Sequence, residues 1–265
     1  MNRRFFLAAS LSAPSLAAST AIAPGALDRF LQPTKYIDSS NPAVVALARS
    51  IAGSANSSME VAIRIHDHVR DRINFGFSTG FYDQKASDVM ELGVGYCNTK
   101  GTLFIALLRA AGIPARQHFV NIDAQVLAPF VNPGTSLVDH SFAEVFVQDQ
   151  WRSVDSYVVD VKLFASAKRQ LGIESKNLGY AIHKNGQSVW DGRSDSFSQF
   201  VNDDVVKGLT TKDYGVFDDV GAFYESGNGV NKLNFFVKAS FGLFSRSVNQ
   251  RIESVRNAGY PKAEN

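Results

Sequence analysis

An unbroken apolar stretch near the middle of the chain constrains the fold more than any other feature. Residues 103–108 (LFIALL) are all apolar, and Gly112, Ile113 and Pro114 follow shortly after them. A helix that is apolar on every side fits the interior of a core and not its surface. Gly112 is typical of a helix C-terminal cap, and Pro114 cannot continue a helix. The stretch therefore predicts a central, buried helix.

The elements on either side of this helix predict an α+β fold. Two helices come before it, the first with Pro42 at its first helical position and the second opened by Ser57 in a capping box. Strand-like sequence comes after it: one strand follows Pro114, and residues 141–147 and 151–155 form a hairpin. Helices followed by strands are the order expected when a helical layer packs on an antiparallel sheet.

The chain has a single cysteine, Cys97, in the stretch GVGYCNTK. In an oxidising compartment an unpaired cysteine indicates a reactive thiol or an intermolecular partner. A buried cysteine that acts as a small apolar residue is the alternative. A thiolate nucleophile is favoured at a helix N-terminus and beside a histidine. Cys97 satisfies the first condition, because it lies between the turn formers Gly93 and Gly95 and the predicted central helix.

Of the five histidines, one has a carboxylate partner that the sequence itself suggests. His140 opens the hairpin, and a turn at 149–150 brings it back toward Asp155 at the other end. An acceptor on its second ring nitrogen fixes the tautomer and orientation of a histidine. The expectations for the other four histidines are solvent exposure for His66 and His68 on an amphipathic helix, packing or hydrogen bonding for His118 in a strand, and solvent exposure for His183.

The same residues resemble the transglutaminase-like core of the papain-like superfamily. The segments GVGYCNTKGTLFIALLRAAGIPAR and DHSFAEVFVQDQWRSVD are similar to that family in motif and order, within residues 57–160. The resemblance implies a papain-like fold and acyl transfer. In that chemistry Cys97 attacks an amide carbonyl, His140 moves the proton, and Asp155 orients the imidazole. It also implies that the backbone amide of Cys97 donates to the oxyanion.

Tyr96, Asn98 and Phe142 flank the predicted nucleophile and base, and we expect them to contact substrate. The family often has an acidic residue or tryptophan where this chain has Asn98, and commonly a tryptophan where it has Phe142. These departures bear on the preferred acyl group or acceptor and do not touch the three catalytic residues. We expect Arg109 and Arg116 to tie the end of the central helix.

Several functions compete. Hydrolysis of a peptide or isopeptide amide leads over transamidation, because no tryptophan lies near Cys97 or His140 in sequence to shield an acyl-enzyme from water. An inactive peptide-binding relative is a third reading, although all three catalytic residues are retained. The chain lacks the ligand spacing of a zinc site, a second cysteine for redox exchange and a phosphate loop. The acidic pairs at 203–204 and 218–219 lack calcium-loop spacing. We therefore predict no cofactor and no metal.

The first residues predict export. Arg3 and Arg4 precede an uncharged run that ends in a small-x-small site at Ala23, the pattern of a secretory signal peptide and, with paired arginines, of the twin-arginine route. An uncleaved anchor is the alternative reading. Cleavage would remove two arginines and bring the formal net charge from +2 to about zero, which disfavours nucleic acid and membrane lipid as partners. We expect a periplasmic or secreted protein that acts on peptides or proteins, cell-wall peptides included.

Three segments follow from these observations. The signal peptide covers residues 1–23, the helical N-terminal part and the transglutaminase-like core cover 24–160, and a C-terminal extension covers 161–265. No linker precedes the extension, so we expect it to pack on the core. Within it the sequence predicts a helix at 162–171 and a basic amphipathic helix near 244–257. The oligomeric state is left open.

Overall fold

The computed structural model of the chain describes residues 25–199, 212–231 and 235–258. The predicted signal peptide and the acidic pair at 203–204 lie outside these ranges. In chain order the described elements are α1 (Pro42–Ala52), α2 (Ser58–Arg72), β1 (Asn74–Phe75), α3 (Ala86–Leu92), β2 (Val94–Gly95), α4 (Cys97–Ala110), β3 (Ala115–Asp123), β4 (Leu137–Val147), β5 (Gln150–Val154), α5 (Val161–Ile173), β6 (Leu178–Gly179), β7 (Ile182–His183), β8 (Asp213–Phe217), α6 (Val220–Glu225) and α7 (Phe235–Asn257), with 3-10 helices at Asp28–Phe30 and Ala124–Leu127.

Helix α4 is the centre of the fold. Every residue from Cys97 to Arg109 is buried, and α1, α2, α3, β3 and β4 all contact this helix. Phe104 and Leu107 have no exposed surface. Truncating a buried phenylalanine to alanine typically costs about 3–5 kcal/mol, so the position of α4 is strongly fixed. The prediction of a buried central helix is confirmed.

A four-stranded sheet in the order β5-β4-β3-β8 packs against α4, and all of its neighbouring strands are antiparallel. Strand β3 pairs with β4 over the full length of β3, with Ala115 opposite Val145 and Asp123 opposite Leu137. The β4–β5 hairpin turns at Gln148 and Asp149, one residue earlier than predicted. Helices on an antiparallel sheet confirm the α+β expectation.

Of the three helices before α4, α1 and α2 begin where the sequence predicts, whereas the short helix α3 was not predicted. Asn41 Oδ1 accepts a hydrogen bond from the Ala43 amide at 2.9 Å, which caps α1. Ser57 Oγ accepts one from the Glu60 amide at 3.2 Å, which caps α2. Each side chain satisfies one of the amides that a helix N-terminus leaves unpaired. Local polar chemistry therefore sets both helix starts.

Helices α5 and α7 confirm the two helices predicted in the C-terminal extension. The last helix begins at Phe235, earlier than predicted, and runs for 23 residues to Asn257. Gly242 weakens the helical pattern of the sequence there, but the backbone stays helical through it. Despite the length of α7, no helix within the described ranges has the length and hydropathy that a bilayer crossing requires.

Helix α7 is joined to the core by buried polar contacts. The Arg256 guanidinium donates to Asp160 Oδ2 at 2.8 Å and to the Phe75 carbonyl at 2.8 Å. Asn249 accepts from the Phe77 amide at 2.8 Å and donates to the Phe77 carbonyl at 2.7 Å. The C-terminal helix therefore fixes the backbone of residues 75–77. The division at residue 160 stays a prediction.

A lysine side chain is also buried inside this core. Lys100, one turn into α4, is fully buried, and its Nζ donates to the Ile73 carbonyl at 2.6 Å. Burial disfavours the ammonium form and lowers the pKa of Lys100 to about 7, although the carboxylate of Asp160 partly opposes the shift. The core therefore holds a lysine that loses its proton near neutrality.

We predict that Lys100→Met changes the pH dependence of stability. Between pH about 7 and pH 10.5 the unfolded chain binds more protons at Lys100 than the folded chain. The free energy of unfolding of the wild type therefore rises with pH in this window, by at most about 1.4 kcal/mol per pH unit from this group. Relative to wild type, Lys100→Met is most stabilised below pH 7, and its advantage shrinks as the pH rises.

Urea unfolding across this pH range measures the difference between variant and wild type, which cancels the other titrating groups. Lys184→Met, at an exposed position, is the matched control and is expected to show no pH-dependent difference. A Lys100→Met difference that stays constant with pH would contradict the prediction.

Candidate active site

Cys97 is the first residue of α4, and the backbone before it is shaped by glycine. Gly93 ends α3 in the left-handed conformation, with φ of 64°. A Cβ on Gly95 would lie 2.7 Å from Thr99 Oγ1, closer than packing allows. The same Oγ1 accepts the Tyr96 amide at 3.1 Å. Cys97 is thereby held at a helix N-terminus, where unpaired amides favour negative charge.

His140 and Asp155 lie at the open end of the β4–β5 hairpin. His140 Nε2 and Asp155 Oδ2 are 3.0 Å apart, and the two side chains are 1% and 0% exposed. Asp155 directly follows Val154, the residue of β5 that pairs with Ala143. The hairpin register therefore brings together the two residues that the sequence paired.

The Asp155 carboxylate is held from the C-terminal extension. Its Oδ1 accepts hydrogen bonds from the backbone amide of Ser198 and, at 3.1 Å, from the Ser198 hydroxyl. The Gln199 amide lies 3.4 Å from both carboxylate oxygens. A buried carboxylate has lost the hydrogen bonds of water, and such donors replace them. Residues 198 and 199 therefore complete the environment of Asp155.

His140 is surrounded by groups that favour its charged form. Burial alone would lower the pKa of His140, but hydrogen bonds with Asp155 and with the Cys97 thiol, together with the charges of both, raise it to about 9. Because Nε2 faces Asp155, Nδ1 is the ring nitrogen left for Cys97. An imidazolium held at neutral pH between a thiol and a carboxylate favours a thiolate on the thiol.

Cys97 and His140 share a cavity of about 340 Å³. This volume lies within the usual range for small-molecule sites, about 300–1,000 Å³. Two groups of apolar side chains make up most of its lining. We call the first the aromatic wall: Phe75, Phe77, Phe81, Tyr96 and Phe244. We call the second the aliphatic wall: Ile122, Val126, Leu127, Val131 and Val138.

Asp139 closes part of the cavity by holding a loop. Its two carboxylate oxygens accept hydrogen bonds from the amides of Val230 and Asn231, at 2.9 and 2.8 Å. Both of those residues line the cavity. Burial raises the pKa of Asp139, and the two amides partly offset that effect. The loop at 229–231 is therefore tied down beside the strand that carries His140.

Of the three residues predicted to contact substrate, Tyr96 alone lines this cavity. It stacks on Phe77 at 5.2 Å and on Phe81 at 5.4 Å, within the aromatic wall. Phe142 instead stacks on His118 at 4.6 Å and does not line the cavity. Its packing there keeps it from the position that the sequence suggested.

Asn98 is fully buried and serves as a polar junction. Its Nδ2 donates to the Tyr224 hydroxyl at 3.1 Å, and its Oδ1 accepts from the Ser141 hydroxyl at 2.9 Å. Gln117 donates to the Asn98 carbonyl at 3.2 Å. The side chain therefore ties α4 to β4 and α6. Its Oδ1 also lies 3.7 Å from Cys97 Sγ, although Asn98 is not among the residues that line the cavity.

Two histidine predictions are wrong. His66 has no exposed surface; its Nε2 lies 2.8 Å from the Ser156 hydroxyl, and burial lowers its pKa. It falls beside Ile65 on the buried face of α2, and its partner lies 90 residues away, beyond the reach of local patterns. His183 is also buried, at 4% exposure, in the short strand β7. His118 is packed and hydrogen-bonded, as predicted.

Arg109 and Arg116, both expected to tie the end of α4, make different contacts. Arg109 donates to the Ala115 carbonyl at 2.9 Å and to the Gln32 carbonyl at 2.6 Å, which confirms that it ties the end of α4. Arg116 instead bonds the Glu144 carboxylate and lies 4.1 Å from the Trp151 ring, so it braces the sheet. Neither side chain lines the cavity.

Sequence reasoning missed Ser198, Gln199 and Asp139 as parts of the site. Each acts through contacts with a segment more than forty residues away, as the 43 residues between Asp155 and Ser198 illustrate. Asp139 stands directly before His140, and this adjacency was the one available signal. Among the described residues, no three His, Cys, Asp or Glu side chains are grouped as a metal ion would require.

Residues 45–156 match the family model of the transglutaminase-like superfamily. The match confirms the resemblance seen in the sequence, and it includes Cys97, His140 and Asp155. No curated protein matches the chain.

Several solved structures are similar to parts of the chain. A candidate cysteine protease from Cytophaga hutchinsonii is 23% identical with a TM-score of 0.41, covering 49% of this chain and 42% of its own. The periplasmic domain of TgpA from Pseudomonas aeruginosa, bound to ethylmercury, is 24% identical with a TM-score of 0.38, covering 54% of this chain and 52% of its own. The chain thus spans about half of the length of these structures.

We predict that His140→Ala slows alkylation of Cys97 by iodoacetamide about tenfold or more at pH about 6.5, because the imidazolium that favours the thiolate is lost. Mass spectrometry of the alkylated chain gives the rate. The control is His118→Ala, which removes another strand histidine whose pKa carboxylates raise, and it is expected to react like wild type. Equal rates in all three proteins would contradict the prediction.

We predict that Asp155→Asn lowers the pKa of His140 from about 9 toward its usual value, because the variant lacks the negative charge beside Nε2. Histidine ring signals followed by NMR during a pH titration measure this pKa. Asp195→Asn, which changes an exposed carboxylate on the neighbouring loop, is expected to leave it unchanged. A His140 pKa that is the same in Asp155→Asn and wild type would refute the assigned role.

Proposed function

We propose that the transglutaminase-like domain of this chain is an exported cysteine enzyme that hydrolyses peptide or isopeptide amides with Cys97, His140 and Asp155. The observation that carries the proposal is the shared cavity of Cys97 and His140, with the Asp155 carboxylate 3.0 Å from the other side of the imidazole. Nucleophile, base and orienting group in this order are the requirements of thiol acyl transfer.

In the first half-reaction the Cys97 thiolate attacks the amide carbonyl carbon and forms a C–S bond. The backbone amide of Cys97, at the N-terminus of α4, donates to the oxyanion that develops. The His140 imidazolium then gives its proton to the leaving nitrogen, and the C–N bond breaks. The products of this step are a thioester on Cys97 and a free amine.

In the second half-reaction water replaces the amine. His140 takes a proton from the water, whose oxygen attacks the thioester carbon. The C–S bond breaks, which releases a carboxylic acid and restores the thiolate–imidazolium pair, and the acid then gives its remaining proton to solvent. Asp155 keeps the imidazole in one orientation throughout, because its own carboxylate is fixed by residues 198 and 199.

The cavity favours water over an amine as the acceptor. Val230 and Phe244, both in its lining, are each 39% exposed, so the cavity reaches solvent. A transamidase must keep water from its acyl-enzyme, and no tryptophan lines this cavity within the described ranges. Hydrolysis is therefore the reaction that we propose, with transamidation as the outcome that the test must distinguish.

The export and partner predictions become part of the same proposal. Arg3 and Arg4 with the uncharged run after them support a signal peptide of the twin-arginine type. The single cysteine is compatible with an oxidising destination, because Cys97 has no second cysteine in the chain with which to form a disulfide. The proposed substrate is a peptide or protein of the periplasm or exterior.

We predict that the full-length chain cleaves members of a peptide amide library in heavy-oxygen water, with the label appearing in the new carboxylate. Cys97→Ala is expected to lower the rate about 1,000-fold or more, because the nucleophile is lost. Mass spectrometry detects both the cleavage and the label, and a competing alkyl amine in the same reaction reports transamidation.

Cleavage that persists in Cys97→Ala would overturn the assignment of the nucleophile. Amine adducts in place of labelled carboxylates would make the enzyme a transamidase. Tight peptide binding without any product, from a chain whose Cys97 still reacts with iodoacetamide, would identify a binding module.

A further inference from the structure

We propose that the cavity beside Cys97 binds a large apolar side chain in the acyl part of the substrate, so that aromatic and large aliphatic acyl residues are preferred and acidic ones are rejected. The inference rests on the proposed function and names its substrate class. Because the acyl group becomes bonded to Sγ, its side chain is the part of the substrate held closest to the cavity that contains Cys97.

The cavity is lined mainly by apolar side chains. Apolar side chains form both the aromatic wall and the aliphatic wall, and the volume of about 340 Å³ exceeds what a small side chain would fill. Burial of an apolar side chain is worth about 1.5–3 kcal/mol relative to exposure. A large apolar residue therefore gains more in this cavity than a small or polar one.

The aliphatic wall lies next to the proposed base, His140, on the same sheet. Val138 lies two residues before His140 in β4, and alternate residues of a strand share one face. Ile122 of β3 is the direct partner of Val138 in the register. Both side chains are nearly buried, at 5% and 6% exposure. The wall is therefore built on paired strands and continues directly from the base.

The charge of the cavity lining disfavours an acidic substrate side chain. Asp139 carries the one carboxylate in the described lining. Its carboxylate already accepts two backbone amides. No lysine or arginine is present in that lining to pair with a substrate carboxylate. The His140 imidazolium is already paired with Asp155. An acidic side chain would therefore be desolvated beside Asp139 without a free cation to pair with, which is unfavourable.

The mouth of the cavity has an exposed apolar surface. Val230 and Phe244 are each 39% exposed although they are large and apolar. They continue the lining of the cavity outward. Exposed apolar groups that extend a cavity mark a surface that a ligand covers. The residues next to the bound side chain are therefore expected to be apolar as well.

The test uses N-acetylated aminoacyl chloromethyl ketones whose side chains are those of Phe, Leu, Ala, Lys and Glu. In each case the Cys97 sulfur displaces chloride, so a C–S bond forms, a C–Cl bond breaks and only the side chain differs. We expect the second-order rate of inactivation with Phe and Leu to exceed that with Ala about tenfold or more, and Glu to be slowest.

Val230→Lys is the variant that tests the cavity, because an exposed side chain is changed and the fold need not adjust. We expect it to lower the preference for Phe over Glu about tenfold, since a cation now faces the site. The matched control is Val189→Lys at a position 66% exposed and outside the cavity, with wild-type preferences expected. Val131→Lys, in the aliphatic wall, provides a second variant with the same expectation.

Iodoacetamide, which has no side chain, separates the two proposals. If it reacts rapidly and with dependence on His140, but the ketones show equal rates or a preference for Glu or Lys, the inference falls and the proposed function stands. If Cys97 reacts with neither iodoacetamide nor any ketone, the proposed function fails and the inference fails with it.

Discussion

The complete burial of α4 is the constraint on which the rest of the structure depends. A helix without a polar face must be enclosed, and here three helices lie on some sides and the sheet on others. Enclosure also buries the N-terminus of the helix, where amides lack intrahelical partners. The chain uses that position for Cys97. Unpaired amides make a buried helix N-terminus unfavourable when no acceptor faces them. The same amides favour a negatively charged thiolate at that position.

The remainder of the site is positioned by segments that come later in the chain. Helix α7 fixes the backbone at Phe75 and Phe77 through Arg256 and Asn249, and those two phenylalanines line the cavity. Residues 198 and 199 supply the donors to Asp155. The C-terminal extension therefore does more than cover the core, because it sets both the shape of the cavity and the charge beside the base.

Local sequence patterns were sufficient for part of this arrangement. The apolar run predicted α4, and the caps at Asn41 and Ser57 predicted the helix starts. The hairpin predicted the closeness of His140 and Asp155, because its two strands are adjacent in sequence. In each of these cases the determining interaction spans few residues or repeats along one element.

The parts that could not be predicted depend on contacts between distant segments. His66 was expected to face solvent because it adjoins polar residues on an amphipathic helix, yet its partner Ser156 belongs to another layer. Asn98 stands beside the thiol in sequence, but Tyr224 and Ser141 draw its side chain into a polar junction. Strand β8 also escaped prediction, since its glycine-containing pattern is weak and its place is set by pairing with β3.

Asp155 receives hydrogen bonds from Ser198, which lies 43 residues later in the chain, and this separation affects the order in which the site forms during folding. The imidazole and its carboxylate belong to one hairpin of low contact order, which can form early in folding. The donors that hold this carboxylate arrive only when a segment 43 residues later has docked. A nascent chain that ends before this segment carries Cys97, His140 and Asp155 without the donors that hold the Asp155 carboxylate. The proposed site is therefore completed only late in folding.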